Sequence, residues 1–429
     1  MPQAVNSSLR RAVVVGGIRT PFVRAFSDFM AVDTIALGAA AVRGLLAKVE
    51  VPRSELDSVI WGGVILPSAS PNVGREIALD VGLPPSVEAM TITRACASGL
   101  QAVTLAAAAI ERGEADVVIA GGGDSTSNAE VPLPSHLIQA LAPLVLGKGG
   151  SFMDWLGVAG QLAPFRELLP KAPRIAERST GQLMGEAAED MARRNEISRS
   201  AQDEFAMRSH HRAAAAAESG VFEQELVSVA DVSVDGIVRP DTKLEKLETL
   251  RPVFAKDGTL TAGNSSTLTD GAAAVLLMSE EKAAALGLTP LAAFRSWSYV
   301  GVDPADQLLI GPALAMPQAL ERAGMTLADI DLIDMHEAFA AQVLCVLKAL
   351  ASDSFAKHRL GRARAVGQID PARLNVHGGS LALGHPFAAT GARMVTTMSN
   401  ELHRRGGGAA LLGLCAAGGL GAAAVLEAV

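Results

Sequence analysis

Cysteine is scarce in this chain: three residues among 429, at Cys96, Cys345 and Cys415. Three thiols cannot build a disulfide framework, and no two of them fall in a C-x-x-C spacing, so a reducing compartment, the cytoplasm, is expected. A strong charge of either sign is also missing. With 37 Lys and Arg against 45 Asp and Glu, the net charge is −8. That balance offers no basic stripe for nucleic acid and no general attraction for an acidic substrate, so an anionic ligand has to be held by local donors. The opening residues, "MPQAVNSSLRR", contain no apolar run of the secretory type, and the final "LEAV" is not a peroxisomal address. Metal-site spacing is absent too: the eight histidines form no H-x3-H pair, and "SHH" at 209–211 lies in a polar helix. "VVVGGIRTPF" lacks the third glycine and the acid of a dinucleotide fingerprint. One uncharged run, "GAALLGLCAAGGLGAAAVL" at 408–426, approaches the length of a membrane span. Its central glycines weaken a helix by about 1 kcal/mol each, and it reads instead as two short buried strands joined by a glycine turn.

What is present is an α/β alternation. Apolar residues make up 49% of the chain and charged residues 19%, enough for a large core. "AVVVGGIRT", "SVIWGGVI" and "DVVIAGGGDS" read as buried strands, separated by "DTIALGAAAVRGLLAKV" and "GLQAVTLAAAAIERGEA" at helical spacing. The alternation predicts a largely parallel sheet. The same grammar returns later. "GLQAVTLAAAAIERGEADVVIAGGG" is echoed by "GARMVTTMSNELHRRGGGAALLGLCAAGG", and the helix-then-strand of Leu37 to Val64 by that of Leu314 to Phe339. One α/β unit is therefore used twice. The expected division is 1–125 with 256–285 as the first half, 126–255 as an insertion richer in proline and charge, and 286–429 as the second half.

Two of the thiols lie among Gly, Ala and Ser rather than bulky core residues. Cys96, in "RACASGLQAV", follows an extended stretch and opens a helix, where unpaired N–H groups and the macrodipole favour a thiolate. A buried structural cysteine is the competing reading. His385 sits in Gly-His-Pro within "GGSLALGHPFAATGAR", at the position of the second repeat that matches Cys96, and is a candidate base for a thiol. Cys415 leaves a buried strand and enters the turn of "CAAGGLG". His336 and Glu337, in "DMHEAFAAQ", fall at a strand-to-helix junction, either as site residues or as a helix-capping pair.

Together "CASGLQA", "TAGNSS", "HEAFA", "GGSLALGHPFAATGAR" and "CAAGGLG" resemble the thiolase family in order and spacing, over essentially the whole chain. The resemblance implies duplicated βαβαβαββ halves layered α/β/α/β/α, with an inserted loop domain. It implies thiolytic cleavage of 3-ketoacyl-CoA, in which Cys96 carries the acyl group and His385 takes its proton. Cys415 moves the proton of the acetyl carbon or of incoming CoA, and His336, where most of the family carries Asn, orients an oxyanion-binding water. The backbone N–H groups of Cys96 and Ala417 would form a second oxyanion hole; the family often has Gly at the latter position, which raises the question of a positive φ there. Met184, Arg239, Phe254, Ala262, Ser266, Ala338 and Phe339 match the CoA-binding positions. CoA and acyl-CoA enter as substrates, with no permanently bound cofactor.

His336, "GGSLALGHPF" and "CAAGGLG" resemble the β-subunit type of the fatty-acid-oxidising trifunctional complex, whereas "CASGLQAV" resembles the general thiolase form. The family resemblance implies a homodimer or homotetramer, and the β-subunit likeness a hydratase/dehydrogenase α-subunit as partner. The alternatives are an acetyl-CoA C-acetyltransferase making acetoacetyl-CoA, a decarboxylating ketoacyl synthase, and a non-catalytic acyl-CoA-binding relative. Retention of Cys96, His385 and Cys415 speaks against the last two. In the insertion, Phe152, Trp155, Leu156, Leu162, Phe165 and Leu168 recur at roughly helical spacing. They suit packing over an acyl tunnel or at a subunit interface, or peripheral contact with a membrane.

Overall fold

The computed structural model describes residues 10–131, 134–145, 147, 150–161 and 176–429. The first repeat supplies β1 (Ala12–Arg19), β2 (Val23–Arg24), β3 (Ser58–Gly62), β4 (Glu88–Ile92), β5 (Val117–Asp124) and β6 (Thr269–Ser279). The second supplies β7 (Ala292–Gly301), β8 (Leu332–Met335), β9 (Ala409–Ala416) and β10 (Leu420–Glu427). They join in one sheet in the order β4-β3-β5-β6-β1-β7-β10-β9-β8, with β2 paired to β6. At its centre β1 meets β7 antiparallel, Val13 opposite Ala293. Outward from that seam the two repeats mirror each other: β6, β5, β3 and β4 on one side, then β10, β9, β8 and a bridge from Ile333 to Leu374 on the other.

The sheet is mixed rather than largely parallel, which corrects the expectation from the α/β alternation. β3 pairs in parallel with β4 and β5, and β8 with β9. The inner strands β6, β1, β7 and β10 run antiparallel to their neighbours. Each repeat ends in a return strand, and β9 reaches β10 through three residues, a span that only an antiparallel pair can close. The uncharged run at 408–426 is that hairpin, as its glycines required. Among the described residues no helix is long and apolar enough to cross a membrane.

Helices cover the sheet in layers. α1 (Thr34–Lys48), started by the Asp33 side chain accepting the Ala36 N–H, and α2 (Val73–Asp80) bury one outer face against Val13, Val59 and Ile119. α3 (Ser98–Glu111) packs against β3 and β5 in the central layer, where Ala12, Val14, Val118 and Leu412 point the other way. This is the period-two alternation of strands covered on both faces.

α4 (Ser135–Val145) and α5 (Phe152–Gln161) belong to a separate compact unit, Ala129–Ala176. On α5, Phe152, Met153, Trp155 and Leu156 are exposed; Leu162, Phe165 and Leu168 of the expected apolar cluster lie outside the described residues. The rest of the segment read as an insertion packs with the two repeats. It contains α6 (Met184–Arg194), α7 (Arg199–Glu218) and α8 (Leu244–Glu248). Helical periodicity runs on through 187–218 in the sequence, but the helix breaks at Glu196, whose φ is 52°, and restarts at Ser198, whose hydroxyl accepts the Ala201 N–H.

After α9 (Glu280–Ala285), α10 (Pro312–Ala323) and α11 (Ala340–Leu350) cover the second outer face with α6 and α7. The short α12 (Asp353–Phe355) and α13 (Ser380–Leu383) precede α14 (Ala389–Arg405), which joins α3 in the central layer. These two helices cross at their N-terminal ends with almost no side chain between them. A Cβ on Gly99 would run into the Ala388 carbonyl, and one on Gly391 into the backbone of Leu100.

That crossing yields a stability prediction. Gly99→Ala gains helix propensity, yet its methyl group has only backbone to displace. The variant should lose about 1–3 kcal/mol of unfolding free energy, the range for overpacking, measured by denaturant titration. A variant as stable as the parent would show that the two helices are not held at this distance.

Candidate active site

The crossing brings together the two segments singled out by their small residues. Cys96 lies three residues before Gly99 and His385 three before Ala388. Both segments turn through backbone that few side chains adopt: Ala95 has φ 45° and Phe387 has φ 33°, and strain of this kind clusters at functional sites. The Cys96 turn is pinned by Ser98, whose hydroxyl donates to the Ala95 carbonyl (2.6 Å) and accepts the Arg94 N–H (2.7 Å).

The backbone N–H groups of Ala417 and of Cys96 itself act on the Cys96 thiol, each favouring its charged form. These are the two donors expected to form an oxyanion hole. Ala417 is not in the left-handed region; that conformation falls on Gly418 (φ 82°) and Gly419 (φ 66°), so alanine costs nothing here. The turn is held from outside by Glu177, whose carboxylate accepts the Gly418 N–H at 2.8 Å. Cys415, at the end of β9, is buried and near enough to Cys96 for that thiol to disfavour its charged form.

His336 and His385 are both buried, with ring centroids 4.1 Å apart. Nδ1 of His336 pairs with the Ser380 hydroxyl at 2.8 Å, and Nδ1 of His385 with the Thr390 hydroxyl at 2.7 Å. Nε2 of each ring has no partner among the described residues. The His-Glu pair does not cap α11, whose N-cap is Phe339. Glu337 instead accepts from Ser209 Oγ, Asn375 Nδ2 and the Leu381 N–H, tying the His336 loop to α7 and α13.

Burial decides the charges. It pushes the Cys96 thiol up to about 11, with the Asp124 carboxylate adding to the rise and the two N–H groups opposing it. Desolvation at the half-buried Cys96 thus works against the thiolate that a helix N-terminus favours. The Cys415 thiol is held well above its ordinary value, again chiefly by burial. Burial and the Arg393 guanidinium lower His385 to about 3, and burial, His385 and Arg393 take His336 well below the usual histidine range. All four shifts point the same way, toward thiols and neutral imidazoles.

Of the expected CoA positions, Met184, Phe254, Ala338 and Phe339 gather on one apolar cluster that also contains Cys415. The rings of Phe254 and Phe339 meet edge to face, 5.8 Å between centroids. Ser266 donates its N–H to the Ala338 carbonyl at 3.0 Å. Ala262 is exposed in the loop before β6, and Arg239 is exposed, its backbone N–H donating to His210 Nδ1.

Comparison with known proteins decides the family. The thiolase N-terminal domain model matches residues 12–281 and the thiolase C-terminal domain model residues 288–428. The chain belongs to the thiolase family. The 3-ketoacyl-CoA thiolases of Yersinia pestis and Yersinia pseudotuberculosis are 46% identical to it over 426 residues, covering 97% of each chain. Human mitochondrial 3-ketoacyl-CoA thiolase superposes with a TM-score of 0.83 at 32% identity, covering 99% of this chain and 100% of that one. Bacillus anthracis acetyl-CoA acetyltransferase gives 0.83 at 34%, covering 98% and 99%. The human enzyme in complex with CoA gives 0.82 at 32%, covering 98% of each.

The sequence patterns did not single out the groups that hold these candidate side chains and the glycine turn beside them: Ser380, Thr390, Glu177 and Asp124. Of these only Asp124 carried a local signal, as a carboxylate closing a strand otherwise made of Val, Ile, Ala and Gly.

The uncharged resting state is testable with iodoacetamide. Alkylation of Cys96 should rise about tenfold per unit from about pH 7 to about pH 10, following the small thiolate fraction. A plateau below about pH 8 would mean a thiolate–imidazolium pair already exists.

Proposed function

We propose that this thiolase cleaves 3-ketoacyl-CoA with CoA to acetyl-CoA and a shortened acyl-CoA, through an acyl-Cys96 intermediate. The paired imidazoles carry the reading, each with Nδ1 tied to a hydroxyl and a buried, unpartnered Nε2. A neutral ring in that state can take a thiol proton or give a hydrogen bond to a thioester oxygen, whichever tautomer is present. His385 takes the Cys96 proton as sulfur attacks the ketone carbon, and the N–H groups of Cys96 and Ala417 receive the developing oxyanion. The bond between the ketone carbon and the α-carbon then breaks. Its electron pair goes to the α-carbon as the enolate of acetyl-CoA, whose oxygen faces His385 and a water oriented by His336. The Cys415 thiol protonates that carbon, leaving the acyl group on Cys96. The Cys415 thiolate then accepts the proton of incoming CoA, the CoA sulfur displaces Cys96 to release acyl-CoA, and the departing Cys96 sulfur takes its proton back from His385.

A burial-raised thiol suits this proton traffic. Cys415 keeps its proton until a strong carbon base forms beside it, and Cys96 loses its proton only with a substrate carbonyl in place. In the same reading Met184, Phe254, Ala338 and Phe339 wall the pantetheine, Ser266 and Ala262 line its path, and Arg239 meets the nucleotide phosphate. Residues 1–125 with 256–285 and residues 286–429 are the two catalytic halves, and 126–255 is the insertion that receives CoA. The enzyme works in the cytoplasm as a homodimer or homotetramer beside a hydratase/dehydrogenase α-subunit.

Two measurements test the reaction. With 3-ketoacyl-CoA and no free CoA, intact and peptide mass spectrometry should find the acyl group on Cys96, and Cys96→Ala should lose at least about 10³-fold in turnover. Cys415→Ala should lose about 10²–10⁴-fold, as for a general acid–base. An unlabelled Cys96 in an active enzyme would overturn the mechanism. For substrate class, kcat/KM on 3-ketodecanoyl-CoA should exceed that on acetoacetyl-CoA. The reverse order by a wide margin would favour the acetyl-CoA C-acetyltransferase reading.

A further inference from the structure

Asp124 closes β5 without a water-facing atom: it is fully buried, and among the described residues it has no cationic partner. A buried carboxylate without a counter-charge is costly unless hydrogen bonds replace its hydration. Here three backbone donors do so. Oδ1 accepts the N–H groups of Val64 (2.8 Å) and Ile65 (2.6 Å), and Oδ2 accepts that of Ala388 (2.9 Å). Ala388 is the N-cap residue of α14 and has no side-chain cap of its own. The N-cap N–H, which the N3 side chain of a capping box would accept, donates here to a strand of the other repeat. Val64 and Ile65 follow β3, whose end pairs with the end of β4 through Gly63 N–H and Ile92 O, two residues before Arg94 and the Cys96 turn. Gly62 lies beneath that turn, where a Cβ would come within 2.6 Å of the Ser98 backbone. Beside Asp124, Gly122 lets the Ala388 carbonyl approach in the same way, at 2.5 Å from where its Cβ would be.

We propose that Asp124 is a positioning residue for acyl transfer: one carboxylate locks the α14 start that follows His385 to the β3 end supporting the Cys96 turn. The assignment rests on the thiolase reading for the reaction it serves, but its geometry is independent of that reading. The two nucleophilic and basic arms come from different repeats and have no covalent link nearer than the whole intervening chain. The charge of Asp124 also reaches Cys96, where it is among the causes that keep the thiol protonated. Its own carboxyl is pushed up to about 7 by burial, against the pull of the three N–H groups.

Asp124→Asn keeps an oxygen for Val64 and Ile65 and presents an NH2 to the Ala388 N–H, so it opens the clamp on one side and removes the charge. Turnover is normalised to the Cys96 sites that accept an acyl group, which removes any loss due to misfolded protein. Per titrated site, kcat should fall about 10- to 100-fold, the scale of a misplaced catalytic group, with KM changed less than about threefold. In the absence of substrate, the pH profile of Cys96 alkylation should move toward lower pH, because a nearby negative charge is gone. Asp124→Glu keeps the charge, so its alkylation profile should stay where the parent's is, with kcat between the other two. A normalised kcat within about twofold of the parent in Asp124→Asn, or an unmoved alkylation profile, overturns the proposal. If the Asn variant does not fold, the Glu variant decides: its extra methylene must displace at least one of the three N–H groups, and a parental normalised kcat would overturn it. Failure of the parent itself to acylate Cys96 would instead count against the thiolase reading and leave the alkylation comparison intact.

Discussion

The close approach of two helix N-termini, α3 and α14, is the constraint on which the site depends. Each enters the central layer with glycine where the other's backbone arrives, Gly99 against Ala388 and Gly391 against Leu100. Backbone-to-backbone packing of this kind tolerates no side chain and leaves little freedom to slide. The candidate nucleophile and base sit just ahead of the crossing, Cys96 on one arm and His385 on the other. Their relative placement follows from the helix packing, which is set by the sheet to which both helices are fastened. The small residues around Cys96 are explained by this geometry: they make room for the other repeat.

Burial, the second consequence of that packing, sets the protonation of the site. The N-terminus of α3 and the N–H of Ala417 both favour negative charge on Cys96, but desolvation is the larger influence and the buried Asp124 carboxylate works in the same direction. The histidines are neutral for the corresponding reason, with the nearby Arg393 adding to the effect. A site of uncharged groups is costly to ionise and cheap to keep dry. It suits chemistry in which protons move with bond making and breaking rather than ahead of it. The buried Nε2 atoms of His336 and His385 fit the same description, since a polar atom left without a partner is a place where a ligand's polar atom gains the most.

Much of this was legible in the residues. The strands at 12–19 and 117–124, the helices at 34–48 and 98–111, and the hairpin at 409–427 follow from apolar periodicity and glycine placement. The internal repeat was visible as recurring grammar, and the sheet carries it out strand for strand about the β1–β7 seam. The sheet's mixed direction was not legible, because alternation of helix and strand says nothing about the return strand that ends each repeat. The break at Glu196 was missed for a similar reason: helical periodicity continues across it while the backbone does not.

The sequence alone determined which chemical groups are available and which short segments present them: two thiols beside small residues, an imidazole before proline, a glycine turn after a buried strand. Those are local properties, written in neighbouring residues. The tertiary structure decided which groups meet and what charge they carry. Asp124 reaches Ala388 across 264 positions, and its partners are backbone N–H groups, which every residue but proline possesses. No pattern of side chains announces such a contact. Protonation likewise depends on how much water the fold removes, a quantity that exists only once the layers have closed.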